Sequence, residues 1–411
     1  MKKNILILSI LIGISIKSFS QITPEIYSWI LNTNGSTGYN NIPSNIQNVQ
    51  YSNNNVYVSA TCIPGYDIGP WSGNPNTPIN ENFVYKITRN PIKNTGSAIA
   101  TGLGHIGVLS NGVSIYNPKD AMSYNGQNVW HQNAIEVEGP SFDNCLGHPG
   151  PNGEYHHHLN PTCLYEDSIS TKHSPIIGYA FDGFPVYGAF AYTNTDGTGG
   201  IKRMQSSYQK RNMSSRTTLP DGSAASSAGP VVSGNYPLGY YIEDFIYVQN
   251  GGDLDEHNGR FCVTPDYPIG MYCYFTTLDS NLVAEYPYMI GPTYYGTLQA
   301  GNIGPGSGHN VINESVTNYT GVTTSKTPKA SVEMAIFPNP AQKTVNISFE
   351  KNLANDINIQ LINSLGEKIL EINHSSNVLN QSIDISTLAR GVYILRMTSI
   401  GYQKTQKLIL N

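Results

Sequence analysis

Four histidines lie close together near the middle of the chain, at positions 148, 156, 157 and 158. The last three follow Asn152-Gly153, a dipeptide that favours a tight turn, so the sequence predicts that residues 155–158 begin a strand. Residues two apart in a strand point to the same face, roughly 6.7 Å apart along it. His156 and His158 would therefore present two imidazoles to one side, and His148, just before the turn, could join them as a third ligand.

Three kinds of chemistry fit this spacing. The leading hypothesis is a divalent metal site, because neutral imidazoles are common ligands of zinc and copper and bind zinc at about 2.0–2.1 Å. The second is a structural cluster, in which buried imidazoles hydrogen-bond to carbonyls and carboxylates. The third is metal-free acid–base catalysis by histidine. The spacing does not choose among the three.

A second polar segment, further along the chain, offers more ligands. His257, Asp253 or Asp255 could complete the histidine site or accept a hydrogen bond from a metal-bound imidazole. Calcium is less favoured, since Thr264 stands where an EF-hand loop would need its last glutamate. A turn in which Arg260 pairs with a carboxylate explains the same residues without metal. Other side chains expected to orient imidazoles are Tyr155, His157, Glu154, Asp182 and His131.

The chain has five cysteines, and an exported protein can keep disulfides. Cys145 and Cys163 flank the histidine segment, while Cys262 and Cys273 lie symmetrically about a predicted hairpin turn. These two pairs are the disulfide candidates, which leaves Cys62 without a partner. Four paired cysteines allow three connectivities, and spacing does not decide among them.

The composition predicts an all-β fold. Charged residues make up only 12% of the 411, whereas Gly 40, Pro 25 and Tyr 28 are abundant, as is typical of turns and strands. We expect a large, irregular β-sandwich-like body with long surface loops, among them residues 194–230, and a small C-terminal β-sandwich. Predicted strands include residues 56–62, 83–88, 106–109, 113–116, 133–137, 176–179 and 272–277 in the body and residues 345–349, 357–361, 368–372, 382–385, 392–397 and 406–410 after it.

The first twenty residues have the features of a secretory signal. Lys2 and Lys3 precede an apolar stretch at residues 5–16, and small residues stand before residue 21. An N-terminal membrane anchor is the alternative; no later segment is apolar enough to span a membrane. Without residues 1–20 the chain has 20 basic and 28 acidic residues, a net charge of −8, which disfavours nucleic acid or an anionic membrane as partner.

The C-terminal region is predicted to be a separate domain. Residues 301–331, rich in Gly, Ser, Asn and Thr, are expected to link the body (residues 21–300) to this domain (residues 332–411). The domain resembles the C-terminal sorting domain of the type IX secretion system, and the matching segments are Phe337-Pro338-Asn339-Pro340, residues 362–366, residues 383–388, residues 390–396 and residues 407–411. An ordinary carbohydrate-binding β-sandwich is the alternative.

The resemblance to a sorting domain implies where the protein goes. A protein with this domain reaches the periplasm through its signal peptide and crosses the outer membrane of a Bacteroidetes-like bacterium through the type IX machinery. The sorting domain is then removed, and the cargo is released or attached to the outer cell surface.

The body resembles the YHYH domain family, named for a Tyr-His-Tyr-His motif. The matching stretch is Tyr155-His156-His157-His158, in which His157 replaces the second tyrosine. Further matches are Trp130-His131, Gly147-His148-Pro149, residues 178–188 and residues 253–260. The resemblance covers about residues 50–300, and it implies a domain name without a settled reaction, substrate or cofactor.

Several common catalytic motifs are missing from the sequence. There is no Gly-x-Ser-x-Gly elbow, no His-Glu-x-x-His, no phosphate loop and no dinucleotide fingerprint, which disfavours the commonest hydrolases, metalloproteases, kinases and dehydrogenases. The leading hypothesis is an exported protein that binds copper or zinc through a His-x-His strand pair. The alternatives are a metal-free adhesion module that binds cell-surface glycans, and a hydrolase that uses histidine acid–base chemistry.

Overall fold

The computed structural model describes residues 22–304, 306–321, 334–349, 356–363, 368–376, 378–399 and 402–411. The chain divides into two compact units, the body, which ends at Gly321, and the C-terminal unit, which begins at Val322. The predicted signal at residues 1–20 lies outside the described residues.

The strands of the body are short, because turn-forming Gly, Asn and Pro interrupt the chain at close intervals. In chain order the strands are β1 (Ile46–Tyr51), β2 (Asn55–Ala60), β3 (Phe83–Thr88), β4 (Ile99–Ala100), β5 (His105–Leu109), β6 (Ser114–Tyr116), β7 (Lys119–Ser123), β8 (His131–Asn133), β9 (His148–Pro149), β10 (Tyr155–His157), β11 (Ile176–Ala180), β12 (Pro185–Tyr187), β13 (Phe190–Tyr192), β14 (Ile201–Arg203), β15 (Tyr208–Lys210), β16 (Phe245–Tyr247), β17 (Gly259–Cys262), β18 (Met271–Phe275), β19 (Thr293–Tyr294) and β20 (Thr317–Tyr319). The helices are α1 (Pro24–Tyr27), α2 (Ala134–Val137) and the 3₁₀ turns Tyr39–Asn41, Tyr124–Gly126, Gly139–Ser141 and Ile242–Asp244.

Two sheets carry the architecture of the body. The smaller has the order β20-β1-β2-β3 and is antiparallel throughout. The larger has eight strands in the order β17-β18-β12-β11-β5-β6-β10-β9. Its β6/β10 and β12/β18 pairs are parallel, and its other pairs are antiparallel. Two-stranded sheets form from β4/β19, β7/β8, β13/β14 and β15/β16.

The larger sheet is buried on both faces. Val108 on β5 packs in one apolar core with Val58 of the smaller sheet, so the two sheets form a sandwich. The adjacent Leu109 belongs to a second core on the opposite face, where Met289 and Tyr294 cover the sheet. Strand β5 is therefore buried along its whole length, and the all-β prediction is confirmed.

Three expectations about the body need correction. Residues 133–137 were expected to form a strand, but they end β8 and form α2, because the Asn133 side chain accepts a hydrogen bond from the Ile135 N–H and caps the helix. Residues 194–230 are largely exposed, as expected, but they are not wholly a loop, since they contain β14, β15 and a wholly buried Arg216. Residues 301–321 belong to the body rather than to a linker, because β20 pairs with β1.

One of the two candidate disulfides is formed. Cys145 and Cys163 are bonded, and they close a ring around the histidine segment. Cys262 and Cys273 are free, because the β17/β18 register places Cys262 opposite Met271 and Cys273 opposite Arg260. The hairpin is thus shifted by two residues from the symmetrical pairing that their spacing suggested. Cys62 is also free and buried.

The C-terminal unit is a small sandwich of two antiparallel sheets. Its strands are β21 (Met334–Phe337), β22 (Thr344–Phe349), β23 (Ile357–Ile362), β24 (Lys368–His374), β25 (Asn380–Asp384), β26 (Gly391–Ser399) and β27 (Tyr402–Leu410). One sheet has the order β21-β22-β25 and the other has the order β24-β23-β26-β27. Val345, Ile359 and Leu395 belong to the apolar core of this unit. None of the helices within the described ranges is long and apolar enough to cross a membrane.

The disulfide is expected to contribute measurably to stability. In the chain-entropy model a ring of this length stabilises a fold by about 3 kcal/mol. Replacing Cys145 and Cys163 together by alanine should lower the free energy of unfolding by about that amount, as measured by urea denaturation. A reducing agent should lower the stability of the wild type and leave the variant unchanged; equal stability of the two oxidised proteins would contradict the expectation.

A buried ion pair is a second point on which the body depends. Arg216 and Asp244 are both fully buried, with Nε and Nη2 of the arginine each 2.7 Å from a carboxylate oxygen. Asp244→Ala should lower the free energy of unfolding by about 3–5 kcal/mol, because it leaves a buried guanidinium unpaired. Glu136→Ala, at an exposed position, is the control and should change stability by less than about 0.5 kcal/mol.

Candidate metal centre

The histidine segment is a short hairpin held inside the larger sheet. Strands β9 and β10 are antiparallel, with His148 directly opposite His156. A turn closed by the bond from the Gly153 N–H to the Gly150 carbonyl connects them. On its other side β10 runs parallel to β6. Strand β10 therefore has hydrogen-bonded neighbours on both edges, which fixes which way each of its histidines points.

Four ligand atoms converge on one point beside this hairpin. The Nε2 atom of His156 lies 3.0 Å from that of His148 and 3.1 Å from that of His158. An oxygen of Glu138 lies 3.1 Å from Nε2 of both His148 and His158. All four atoms lie within 4.8 Å of one another. The strand alternation thus brings His156 and His158 to one side, and the hairpin register adds His148.

In His156 and His158, the hydrogen bond at the other ring nitrogen fixes the tautomer. Nδ1 of His156 is 2.9 Å from the Glu154 carbonyl, and Nδ1 of His158 is 2.7 Å from the Asn117 carbonyl. A carbonyl oxygen only accepts, so each Nδ1 must carry the proton. Nε2 of each ring then presents a lone pair to the centre of the cluster.

The tautomer of the third imidazole, His148, is fixed by a hydroxyl group. Nδ1 of His148 is 2.8 Å from Oγ of Ser141, whose own hydroxyl donates to the Glu138 carbonyl at 2.8 Å. The serine has one proton, so it accepts from His148. The Asn74 amide is 3.5 Å from the same Nδ1 and donates at 3.0 Å to the Pro149 carbonyl. In these tautomers three Nε2 lone pairs and a carboxylate oxygen face one another about 3 Å apart, a donor set that could hold a cation.

Burial and neighbouring groups favour a neutral His156 and an ionised Glu138. The three histidines are buried, whereas the Glu138 side chain is 28% exposed. Burial lowers the pKa of His156 well below its usual range, and the neighbouring His158 and His148 lower it further. Burial raises the pKa of Glu138, but its contacts with His148 and His158 outweigh burial and hold that pKa below its usual range. Metal ligation requires these protonation states.

Aromatic rings hold the imidazoles in place. Tyr116 stacks on His156 with ring centroids 3.7 Å apart. Phe142 meets His148 edge to face at 4.8 Å. Gly147 is required nearby, since a Cβ there would lie 2.3 Å from the Tyr155 hydroxyl. The ligand rings are thus packed against fixed neighbours instead of being free to rotate.

The other face of β10 supports the loop instead of the centre. The Tyr155 hydroxyl donates to Asp143 at 2.9 Å. His157 hydrogen-bonds through Nδ1 to the Leu146 carbonyl at 2.9 Å, and burial lowers its pKa to about 4. Both side chains were expected to orient imidazoles of the site, and they hydrogen-bond to the cysteine-bearing loop instead. Glu154 orients His156 through its backbone carbonyl.

Several expected residues do not reach the cluster. His257 hydrogen-bonds to Thr293, Asp253 to Lys202 and Asp255 to Tyr272. These bonds hold the second polar segment at a separate place in the fold, so it supplies no ligand to the histidine cluster. The two remaining orienting candidates are also engaged elsewhere, Asp182 with Tyr274 and His131 with Glu243.

Glu138 is the ligand that the sequence analysis missed. It follows α2 directly and stands in a segment that was expected to continue from a strand. Its distance along the chain from His148 matches no common ligand spacing. The one available signal was Asn133, a good N-cap residue, which would have indicated a short helix that ends at Glu138.

Comparison with known families agrees with this two-part architecture. Residues 84–287 match the family described as YHYH protein, and residues 335–411 match the secretion system C-terminal sorting domain. No curated protein matches the chain. The sorting domain indicates a secreted or cell-surface protein. The chain therefore consists of a YHYH-family body followed by a secretion-system sorting domain.

Proposed function

We propose that the body binds one divalent transition-metal ion, zinc or copper, through His148, His156, His158 and Glu138. The observation that carries this proposal is the convergence of three Nε2 lone pairs and a carboxylate oxygen, each imidazole being held by a hydrogen bond from its Nδ1–H. A metal-bound histidine usually makes this kind of bond through its other nitrogen.

The distances are short enough for the four ligand atoms to hold a single ion. Ligand atoms about 2.0–2.1 Å from a tetrahedral zinc ion lie roughly 3.3 Å from one another. Four of the six separations are 3.0–3.1 Å, a few tenths shorter, and the other two, His148–His158 and His156–Glu138, are within 4.8 Å, so the distances suit one four-coordinate ion without fixing its geometry. Three nitrogens and one oxygen suit zinc or copper, whereas calcium requires six or more oxygens. A bound ion would supply Lewis-acid or redox chemistry, and the partly exposed side chain of Glu138 marks the side open to a further ligand.

The alternatives receive less support. Many of the tyrosines that could stack on sugar rings are core residues, among them Tyr57, Tyr85 and Tyr179. The three imidazoles face one another instead of an open surface, which is unfavourable for acid–base catalysis on a substrate. For delivery, we propose export from a Bacteroidetes-like bacterium by the type IX route, with residues 1–20 as signal peptide and the sorting domain removed afterwards.

Metal content tests the proposal directly. The chain without residues 1–20, purified without a histidine tag from medium that contains zinc and copper, should carry close to one equivalent of metal by elemental mass spectrometry. The His156→Ala/His158→Ala variant should lose it, because two of the four ligands are gone. Glu138→Gln should retain less metal than the wild type.

The control is His257→Ala, which removes a histidine outside the cluster and should leave the metal content unchanged. Circular dichroism spectra should show that all variants are folded. Equal metal content in the wild type and the double variant, or no metal in the wild type, would refute the site.

The hydrogen bond behind His148 gives a finer test. Ser141→Ala removes the acceptor for Nδ1–H and should weaken metal affinity by about 10–100-fold, as is common for such supporting groups. Competition with a chromophoric chelator measures the affinity. Ser168→Ala, at an exposed serine elsewhere, is the matched control. An unchanged affinity for Ser141→Ala would mean that this bond does not orient the ligand.

A further inference from the structure

A second polar cluster consists of side chains from three distant parts of the chain. Oγ of Ser307 lies 2.8 Å from Nε2 of His105, and Nδ1 of the same histidine lies 2.9 Å from a carboxylate oxygen of Glu154. None of these three side chains contributes a ligand atom to the metal centre. The order hydroxyl, imidazole, carboxylate is that of a nucleophile, its base and the acid that orients the base.

The other contacts of Glu154 determine where the protons lie. The hydroxyls of Ser114 and Tyr116 both donate to this carboxylate. Beside these two donors, the geometry suits a third bond to the carboxylate, donated by Nδ1–H of His105. Nε2 of His105 then has a lone pair, and the Ser307 hydroxyl donates to it. This is the tautomer that lets a histidine remove a proton from a serine.

The imidazole is held rigidly in apolar surroundings. Phe83, Tyr85 and Phe181 all meet the ring of His105 edge to face, at centroid distances of 5.5, 5.7 and 5.6 Å. The polar partners of this ring are at its two nitrogens, Glu154 at Nδ1 and Ser307 at Nε2. Such packing keeps the base in one orientation, which catalysis by proton transfer requires.

Ser307 stands on a glycine-rich segment at the edge of this core. Gly304, Gly306 and Gly308 all have positive φ. A Cβ at Gly308 would lie 2.8 Å from the Phe83 ring, so only glycine lets the backbone approach so closely. The segment therefore presses Ser307 against His105, while Ser307 itself remains partly exposed. A partly exposed hydroxyl on a buried base is reachable from solution.

An unpaired acid lies beside the cluster. Oε1 of Glu81 is buried and has no hydrogen-bond partner in the described part of the chain. Burial, followed by the charge of Glu154, raises the pKa of Glu81 to about 7. A buried polar atom without a partner calls for an explanation, and a ligand that approaches the cluster would provide one.

We propose that Ser307, His105 and Glu154 form a nucleophilic triad that acts on activated carboxylic esters. Oγ of Ser307 bonds to the acyl carbon while its proton passes to Nε2 of His105, and Glu154 stabilises the resulting imidazolium. His105 then returns the proton to the departing alkoxide. Water, activated by the same histidine, hydrolyses the acyl-serine, releases the acid and restores the hydroxyl. The proposal is independent of the metal centre.

A fluorophosphonate probe tests for the activated serine. In this reaction the Oγ–P bond forms, the P–F bond breaks, fluoride leaves and the serine proton goes to His105. Intact-protein mass spectrometry should show one adduct per wild-type chain, and peptide mapping should place it on Ser307. Ser307→Ala should give no adduct, whereas Ser280→Ala, at an exposed serine, should react like the wild type.

Two further measurements separate catalysis from structure. His105→Gln should slow labelling at least about 100-fold, the usual contribution of a general base, while thermal melting shows that it is folded. Chelation of metal should leave the labelling rate unchanged, which keeps this result distinct from the metal proposal. Absence of an adduct on the folded wild type, an adduct on another residue, or labelling that is insensitive to His105→Gln would overturn the triad.

Discussion

The register of β10 between β6 and β9 is the constraint on which both polar clusters depend. A shift of one residue would exchange the two faces of this strand and turn His156 toward the side where Tyr155 and His157 now hold the loop. Hydrogen bonds on both edges of β10 prevent that shift. The backbone carbonyl that precedes the strand then fixes the first imidazole. The geometry of the sheet therefore determines the direction in which the Nε2 lone pair of His156 points.

Short-range patterns predicted much of this arrangement. Alternation along a strand is a local property, so the pairing of His156 with His158 followed from their spacing, as did most strands of both units. What the patterns missed depends on contacts between distant segments. Glu138 joins the cluster only because a four-residue helix ends beside the hairpin. Cys262 and Cys273 are unbonded thiols, and β17 and β18 pair two residues away from the symmetrical register that would place them opposite each other.

Glu154 connects the two clusters through different atoms. Its backbone carbonyl holds His156, and its carboxylate accepts from His105 and from Tyr116. Tyr116 in turn stacks on His156. The two clusters are therefore neighbours in the fold that share Glu154 but no ligand atom.

The ring closed by Cys145 and Cys163 contains three of the four candidate ligands, and Glu138 lies just outside it. Thiol oxidation and metal binding consequently restrict the same segment, and whichever occurs first lowers the entropy cost of the other. Disulfides persist in oxidising compartments and are rare where thiols are kept reduced. The oxidising compartment in which this disulfide forms would then also be the place where the folded site binds its metal. The bound ion would therefore be one that is available outside the cytoplasm.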